Sequence, residues 1–408
     1  MSGRLSLAVT GIQDLWLTGS PQFSYFLMNF KRHTKFSIEH IETPFDGDLR
    51  FGNEFLCRIP HNKGDLIKNM TLKITLQDPG PDIEVGQLSG NYLAYVPSIC
   101  TELLEHIELR IGGQTIQRLT GEYIFMHQQL NNSDDDVFQT LYFLNGHGGF
   151  LSYQGTYTYF LDIPFYFYRH PSLAIPMCAL TKQLVEVNIK LRNANEVVFG
   201  YPFTPAPPET IIKNVSLDTE FVFLTDDEKG FLLTRPVEQV ITQLQMSQVN
   251  IEAGLTRKAM MLNFKHPVKE MFFIAQSDAY KNANYSLIYE DITRLQLKFN
   301  NQVVFDIDKM FMTYGHVYNN YVNIPYTTAS IDYLGNNTTL YSVFGVYSFS
   351  NSPDKYYPTG QVNMSRIVHK LLDVEIAPYI PEYDVKFRIY ATNYNVLRIE
   401  SGIAGLKF

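Results

Sequence analysis

Tryptophan and cysteine are almost missing from this chain, with one Trp and three Cys in 408 residues. Cys57, Cys100 and Cys178 are odd in number and far apart. They form no CxxC pair, so neither a zinc site nor a disulfide framework is implied, and a reducing compartment fits. Charge is scarce as well. Asp, Glu, Lys and Arg make up 18% of the residues, against roughly 25% in an average soluble domain. The net charge is −8 and no Lys/Arg run exceeds two residues. Phosphate neutralisation needs clustered cations, so direct coating of nucleic acid is disfavoured. The opening, MSGRLSLAVTG, lacks the apolar core of a signal peptide. The most apolar stretch, residues 161–180, holds Asp162, Arg169, His170 and three prolines, and cannot cross a bilayer as a helix. These absences predict a soluble, intracellularly made chain.

Catalytic signatures are absent too. No P-loop, HExxH, GxSxG or dinucleotide glycine fingerprint occurs. The ten His residues never form HxH, the strand pairing that a cupin-type metal enzyme would need. The acidic run Asp134 to Asp136 lacks the spacing and glycine of a calcium loop. Asp306 and Asp308 share a strand face without a third ligand nearby. The sequence therefore predicts no catalytic residue, no metal ligand and no cofactor. Of seven N-x-S/T sequons, those at Asn336 and Asn337, in a polar stretch read as a loop, are the best exposed candidates for glycan attachment.

What the chain does have is β pattern and aromatic mass. Hydrophobic residues make up 45% and include 27 Tyr and 29 Phe, and 408 residues are too many for one ordinary core, which predicts two domains. Apolar and polar residues alternate in Ile107–Ile111, Leu295–Phe299 and Phe387–Ala391, and such runs recur with Gly, Pro, Asn and Asp between them. Period two means half-buried strands and an all-β class. Two helices are expected. In the first, Ser20 caps, Pro21 takes the first position, and Phe23, Phe26, Leu27 and Phe30 follow to His33. In the second, Thr225 and Glu228 form a capping box ahead of a segment ending at Thr234. The stretch YTYFLDIPFYFY, 157–168, is aromatic on both faces. It reads as a strand covered on both sides, either a core strand or a subunit contact.

The chain also repeats itself. LLEHIELRIGGQTI, from Leu103, resembles DITRLQLKFNNQVV, from Asp291. Each is an alternating strand ending in a two-residue turn that tolerates positive φ, and Gln114 and Gln302 lie 188 residues apart. FYRHPSLAIP resembles FSNSPDKYYP, pairing Pro171 with Pro353 and Pro176 with Pro358. TEFVFLT, from Thr219, resembles KFRIYAT, from Lys386. The Pro-rich YPFTPAPP is then a loop inside the first half. The expectation is two tandem eight-stranded jelly rolls with a short N-terminal helix and a linker helix: an arm and helix over 1–35, a first jelly roll over 36–224, a linker helix over 225–235 and a second jelly roll over 236–408.

At these residues the chain resembles the major capsid proteins of nucleocytoplasmic large DNA viruses, the double jelly-roll capsid family. The opening carries a QD-x-x-LTG-x-P element and an R-x-T-x-F strand entry at Gln13, Asp14, Thr18, Gly19, Pro21, Arg32, Thr34 and Phe36. The aromatic, Pro-rich turn holds Pro171 and Pro176. P-x-G-x-x-N-x-S-R-I holds Pro358, Gly360, Asn363, Ser365 and Arg366. The resemblance implies a homotrimeric capsomer tiling icosahedral facets of the virion, with no direct nucleic-acid contact. It implies minor capsid and penton proteins as partners, with an inner viral membrane beneath, and assembly in the host cytoplasm. The short loops HNKGD, NNSDDD and LGNNTT imply small surface towers. Two other readings share the fold: a low-copy capsid component or transient scaffold, and a metal-dependent bicupin enzyme or lectin.

Overall fold

The computed structural model describes residues 2–28, 30–77, 92–96, 98–131, 144–146, 156–201, 212–278, 287–323, 327–333 and 336–408. The acidic run Asp134–Asp136, residues 202–208 of the Pro-rich stretch and the sequon at Asn284 lie outside them. Two units result, Met1–Phe36 and Ser37–Phe408.

In the first unit, α1 (Ser2–Ala8) and α2 (Ile12–Thr18) form upstream of the expected helix. None of the described residues in 21–36 is helical, which corrects the expected Pro21–His33 helix. Ser20 sits at φ 53°, and Phe23, Phe26 and Phe30 are exposed. Ser20, the expected N-cap, thus lacks the extended conformation that an N-cap takes, and helical spacing alone does not hold so short a helix.

The second unit contains one eight-stranded plan twice. The first copy runs β1 (Ser37–Pro44), β2 (Glu54–Ile59), β3 (Leu66–Gln77), β4 (Tyr92–Tyr95), β5 (Leu104–Ile111), β6 (Gln114–Leu119), helix α3 (Gly121–Asn131), β7 (Thr156–Asp162), β8 (Ile175–Pro176), β9 (Val185–Leu191), β10 (Val198–Tyr201) and β11 (Ile212–Phe223). Its antiparallel sheets are β1-β11-β3-β7, with β8 added beside β3, and β2-β9-β5-β6. Helix α4 (Asp226–Thr234) follows. Thr225 takes the N-cap position, but its side chain makes no capping bond, so the expected capping box does not form.

The second copy runs β12 (Val237–Ile251), β13 (Arg257–Met261), β14 (Pro267–Ser277), β15 (Asp291–Phe299), β16 (Gln302–Asp308), a π-turn (Phe311–Gly315) leading into α5 (His316–Asn320), the hairpin β17 (Thr327–Tyr333) and β18 (Asn336–Ser342), β19 (Gly345–Ser348), β20 (Val362–Asn363), β21 (Lys370–Ala377), β22 (Val385–Glu400) and β23 (Ile403–Leu406). Its sheets are β12-β22-β14-β19 and β13-β21-β15-β16, the same order again. Asn336 and Asn337 thus begin a hairpin strand rather than sit in a loop.

The register shows the duplication in detail. Gly112 and Gly113 have φ 59° and 81°, and Asn300 and Asn301 have φ 48° and 68°, the conformation that a two-residue hairpin turn needs. Both hairpins carry a bulge at the same place, between Leu109 and Arg110 and between Leu297 and Lys298. A second bulge falls between Glu220 and Phe221 opposite β3, and between Val268 and Glu270 on β14. The topology also corrects two of the proposed matches. Pro176 pairs with Leu66 and Asn363 with Pro267, so the counterpart of Pro176 is Asn363, not Pro358. Likewise TEFVFLT occupies the register of Ala391–Leu397, five residues past the matched KFRIYAT.

Each copy encloses its own core. One cluster includes Ile67, Leu72, Ile107, Leu109, Val187 and Leu217, the other Met271, Phe273, Leu295, Leu297, Val374 and Phe387. The strand expected to be covered on both faces, 157–168, divides in two. β7 is an edge strand with Phe160 exposed, whereas Phe165, Tyr166 and Phe167 are buried in the region of a 3-10 turn. Pairing ends at Asp162, and Pro164, with no N–H to donate, follows two residues later.

Candidate assembly interface

β14 explains how the two copies are joined. Its residues 268–275 are all buried. Met271, Phe273 and Ala275 point into their own sandwich, while Phe272 and Ile274 belong to the cluster of the first copy. A strand buried on both faces reads as an unbroken apolar run, as VKEMFFIA nearly does. The cover on its outer face is α3, whose residues Gly121–Leu130 are buried.

Tyr123 lies edge-on to Phe272, with ring centroids 5.5 Å apart. Arg388 donates to Glu122 at 2.9 and 2.6 Å and to Gln276 Oε1 at 2.8 Å, and Tyr390 donates its hydroxyl proton to Glu122 at 2.5 Å. Burial opposes ionisation of Glu122, but the Arg388 guanidinium and these bonds outweigh it and hold the carboxyl below its usual range. Farther along, Gln239 donates to the Ala174 carbonyl at 2.9 Å and Gln243 to that of Ile116 at 2.7 Å. Lys269, fully buried, pairs with Glu270 at 2.9 Å and donates to the Pro353 carbonyl at 2.8 Å, while Tyr321 donates to Glu270 at 2.6 Å. Burial, reinforced by Arg169, pushes the Lys269 ammonium down to about 8. His127 on α3 is driven well below its usual value by burial, with Arg169 and Lys269 adding to it. This apolar seam, closed by satisfied buried charges, fixes one copy against the other.

The residues of the capsid-like motifs do not converge on one site. In the arm they build α2. The Asp14 carboxylate accepts from Gly11 N at 2.7 Å, Thr18 donates to the Asp14 carbonyl at 2.7 Å, and Gly19 N donates to Leu15 O at 2.9 Å. A Cβ on Gly19 would lie 2.4 Å from Leu15 O, so the position requires glycine. Gln13, Pro21, Arg32, Thr34 and Phe36 are exposed. Pro171 opens a 3-10 turn capped by the His170 ring, which accepts from Ser172 N at 3.2 Å, and Pro176 lies in β8. Pro358 and Gly360 lie in a loop, where Gly360 at φ 146° leaves 2.9 Å between a would-be Cβ and Phe349 O. Asn363 caps the next 3-10 turn by accepting from Ser365 N at 3.1 Å, and Ser365 accepts from His266 N at 2.8 Å. Arg366 is exposed. The side chains of Asn336 and Asn337 lie outside the description. Sequence reasoning missed the seam residues Glu122, Tyr123, His127, Lys269 and Arg388. The lack of alternation in β14 was the available signal.

Among the described residues, no group of three or more His, Cys, Asp or Glu could hold a metal ion, and no helix is long and apolar enough to cross a membrane. Comparison with known proteins gives a consistent result. Residues 24–225 match the family model described as major capsid protein N-terminus, and residues 228–405 match that of the large eukaryotic DNA virus major capsid protein. The major capsid protein of Pyramimonas orientalis virus is 27% identical, covering 100% of this chain and 99% of its own. That of Paramecium bursaria Chlorella virus 1 is 26% identical, with both chains covered completely. Among solved structures, PBCV-1 VP54, fitted into a reconstruction of the virophage Sputnik, superposes with a TM-score of 0.77 at 21% identity, over 94% of this chain and 100% of that one. The Faustovirus major capsid protein gives 0.72 at 11% identity, over 96% and 95%. At these identities the structural matches speak for the fold.

Proposed function

Given that the chain belongs to the major capsid protein family of large eukaryotic DNA viruses, we propose that three copies close into a pseudo-hexagonal capsomer that tiles icosahedral facets. The chain is a structural component of the virion capsid and assembles with itself into the capsid lattice; its relatives are structural proteins, not enzymes. The observation that carries the trimer is the duplication. Two copies of one plan, in the same strand order and joined by a buried seam, give a threefold ring six similar corners, and a heterologous contact that returns on itself after three steps closes such a ring. The division into an arm over 1–35, jelly rolls over 36–224 and 236–408 and a linker over 225–235 belongs to this reading.

The arm, with Leu5, Leu15, Trp16, Phe26 and other apolar side chains exposed, reaches neighbouring capsomers, minor capsid or penton proteins, or the inner membrane under the shell. Assembly takes place in the host cytoplasm. The family-motif residues Gln13, Asp14, Thr18, Gly19, Pro21, Arg32, Thr34 and Phe36 serve that arm, while Pro171, Pro176, Pro358, Gly360, Asn363, Ser365 and Arg366 shape the turns of the jelly rolls. Electron microscopy of the purified protein and of particles tests this. The expected result is three-chain particles of hexagonal outline and a shell in which this chain is the most abundant component. A low copy number would favour the minor-component reading instead. Deleting Met1–Thr18 is expected to leave folded capsomers that fail to form shells.

A further inference from the structure

The strand order sends every connection to one of two ends. β2–β3, β5–β6 and β7–β9 turn at one end of the first sandwich, and β13–β14, β15–β16 and β19–β21 turn at the matching end of the second. The two matching ends adjoin. Lys182 N donates to Gly402 O at 3.1 Å, Ala404 N donates to Gln183 Oε1 at 2.7 Å, and the His170 and Tyr356 rings stack 3.9 Å apart. α4 and segment 401–408 lie at this end too, with Lys229 of α4 paired to Asp65 at 3.1 Å.

The two ends carry opposite charge. Among the described side chains, the connections at this end hold nine Lys or Arg against five Asp or Glu, whereas those at the far end hold three against ten. Several cations at this end are already engaged: Lys229 as above, Lys355 with Asp354 at 3.1 Å, Lys407 with Glu238 at 3.4 Å, and Arg235 over the Phe231 ring. Lys63, Lys182, Lys265 and Arg366 are exposed and form no ion pair among the described residues. The exposed carboxylates without an ion pair are Asp226 and Asp227, both in the first turn of α4, where the helix dipole favours them. The four free cations come one from each of four connections, two per copy. Tyr168, Tyr356 and Tyr357 are exposed at the same end.

We propose that this end seats directly on a bilayer carrying anionic phospholipids, with Lys63, Lys182, Lys265 and Arg366 at the headgroup phosphates. The spacing of the charges favours that occupant. Nucleic acid is held by clustered cations, and here they stand singly on separate loops. Scattered cations beside tyrosines suit a diffuse negative plane, into whose interface tyrosine rings fit. The far end, rich in carboxylates, is repelled by the same plane, so binding is one-sided. The surface lies on one chain and is separate from the arm; the capsomer reading only multiplies it by three.

The test is flotation of the full-length protein with phosphatidylcholine vesicles, with and without about 30 mol% phosphatidylserine, at about 0.1 and 0.5 M salt. Wild type is compared with K63Q/K182Q/K265Q/R366Q and with K213Q/K309Q, which removes two cations elsewhere; thermal unfolding checks the fold of each. Wild type is expected to float with the anionic vesicles alone and to be released by the higher salt. The fourfold variant is expected to bind them at least about 100-fold more weakly, and the control pair within about twofold of wild type. A folded fourfold variant that binds like wild type overturns the proposal, as does equal binding to vesicles without phosphatidylserine. A wild type that ignores anionic vesicles also overturns it, and if it is still a trimer the capsomer reading stands. Binding to soluble polyglutamate but not to vesicles would assign an acidic protein partner instead.

Discussion

The outer faces of the two equivalent sheets differ in almost every matched position. Phe272, Ile274 and Tyr390 in the second copy stand where Thr71, Lys73 and Asp218 stand in the first. The first three are buried, and the matched polar residues on the other sheet are half-buried. The difference teaches what a duplicated protein must solve. A face covered by its own chain is covered from the moment of folding and can be apolar. A face that its own chain leaves open must stay compatible with water and carries polar groups and ion pairs instead.

Several substitutions would break or sharpen this contrast. Glu122→Ala strands Arg388 in the seam and is expected to cost about 3–5 kcal/mol in denaturant unfolding. Ser216→Ala, at the position matching Arg388, loses one hydrogen bond to Glu42 and costs about 1 kcal/mol. Equal losses would mean that the two faces do not differ as described. Phe272→Ala is expected to cost about 3–4 kcal/mol through the cavity it leaves, and Thr71→Ala about 1 kcal/mol or less.

Acid should act on the covered face first. The unfolded chain protonates His127 near 6.5, but the folded chain resists until well below that. The unfolded state therefore binds more protons over that window, and stability falls as pH drops below about 6.5, by up to about 1.4 kcal/mol per unit. A melting temperature measured from pH 7.5 to 5.5 should show this slope, and H127Q should flatten it. Smallest is Lys68→Ala, which removes a half-exposed ion pair and is expected to change stability by less than about 1 kcal/mol. Its bulge counterpart Lys269 is buried, and Lys269→Ala should cost several times as much.

Much of the fold was legible because it depends on local chemistry. Gly112-Gly113 and Asn300-Asn301 announce turns through the φ they tolerate, the alternating runs announce strands, and Pro236 marks the end of α4. The helix expected over Pro21–His33 does not form because Ser20 turns to positive φ where an N-cap is extended, and helical spacing alone does not reveal that. Residue identity pairs Pro176 with Pro358, but topology decides otherwise: pairing with β3 and β14 places Asn363 there. The seam was illegible for a related reason. Glu122 and Arg388 lie 266 residues apart, and only the register of two sheets brings them together.

The account stands on the claim that the duplicated faces close copies into threes. Sedimentation equilibrium of the full-length protein tests it most directly. The expected result is one dominant species of three 47.0-kDa chains. A chain that remains single at high concentration would contradict it.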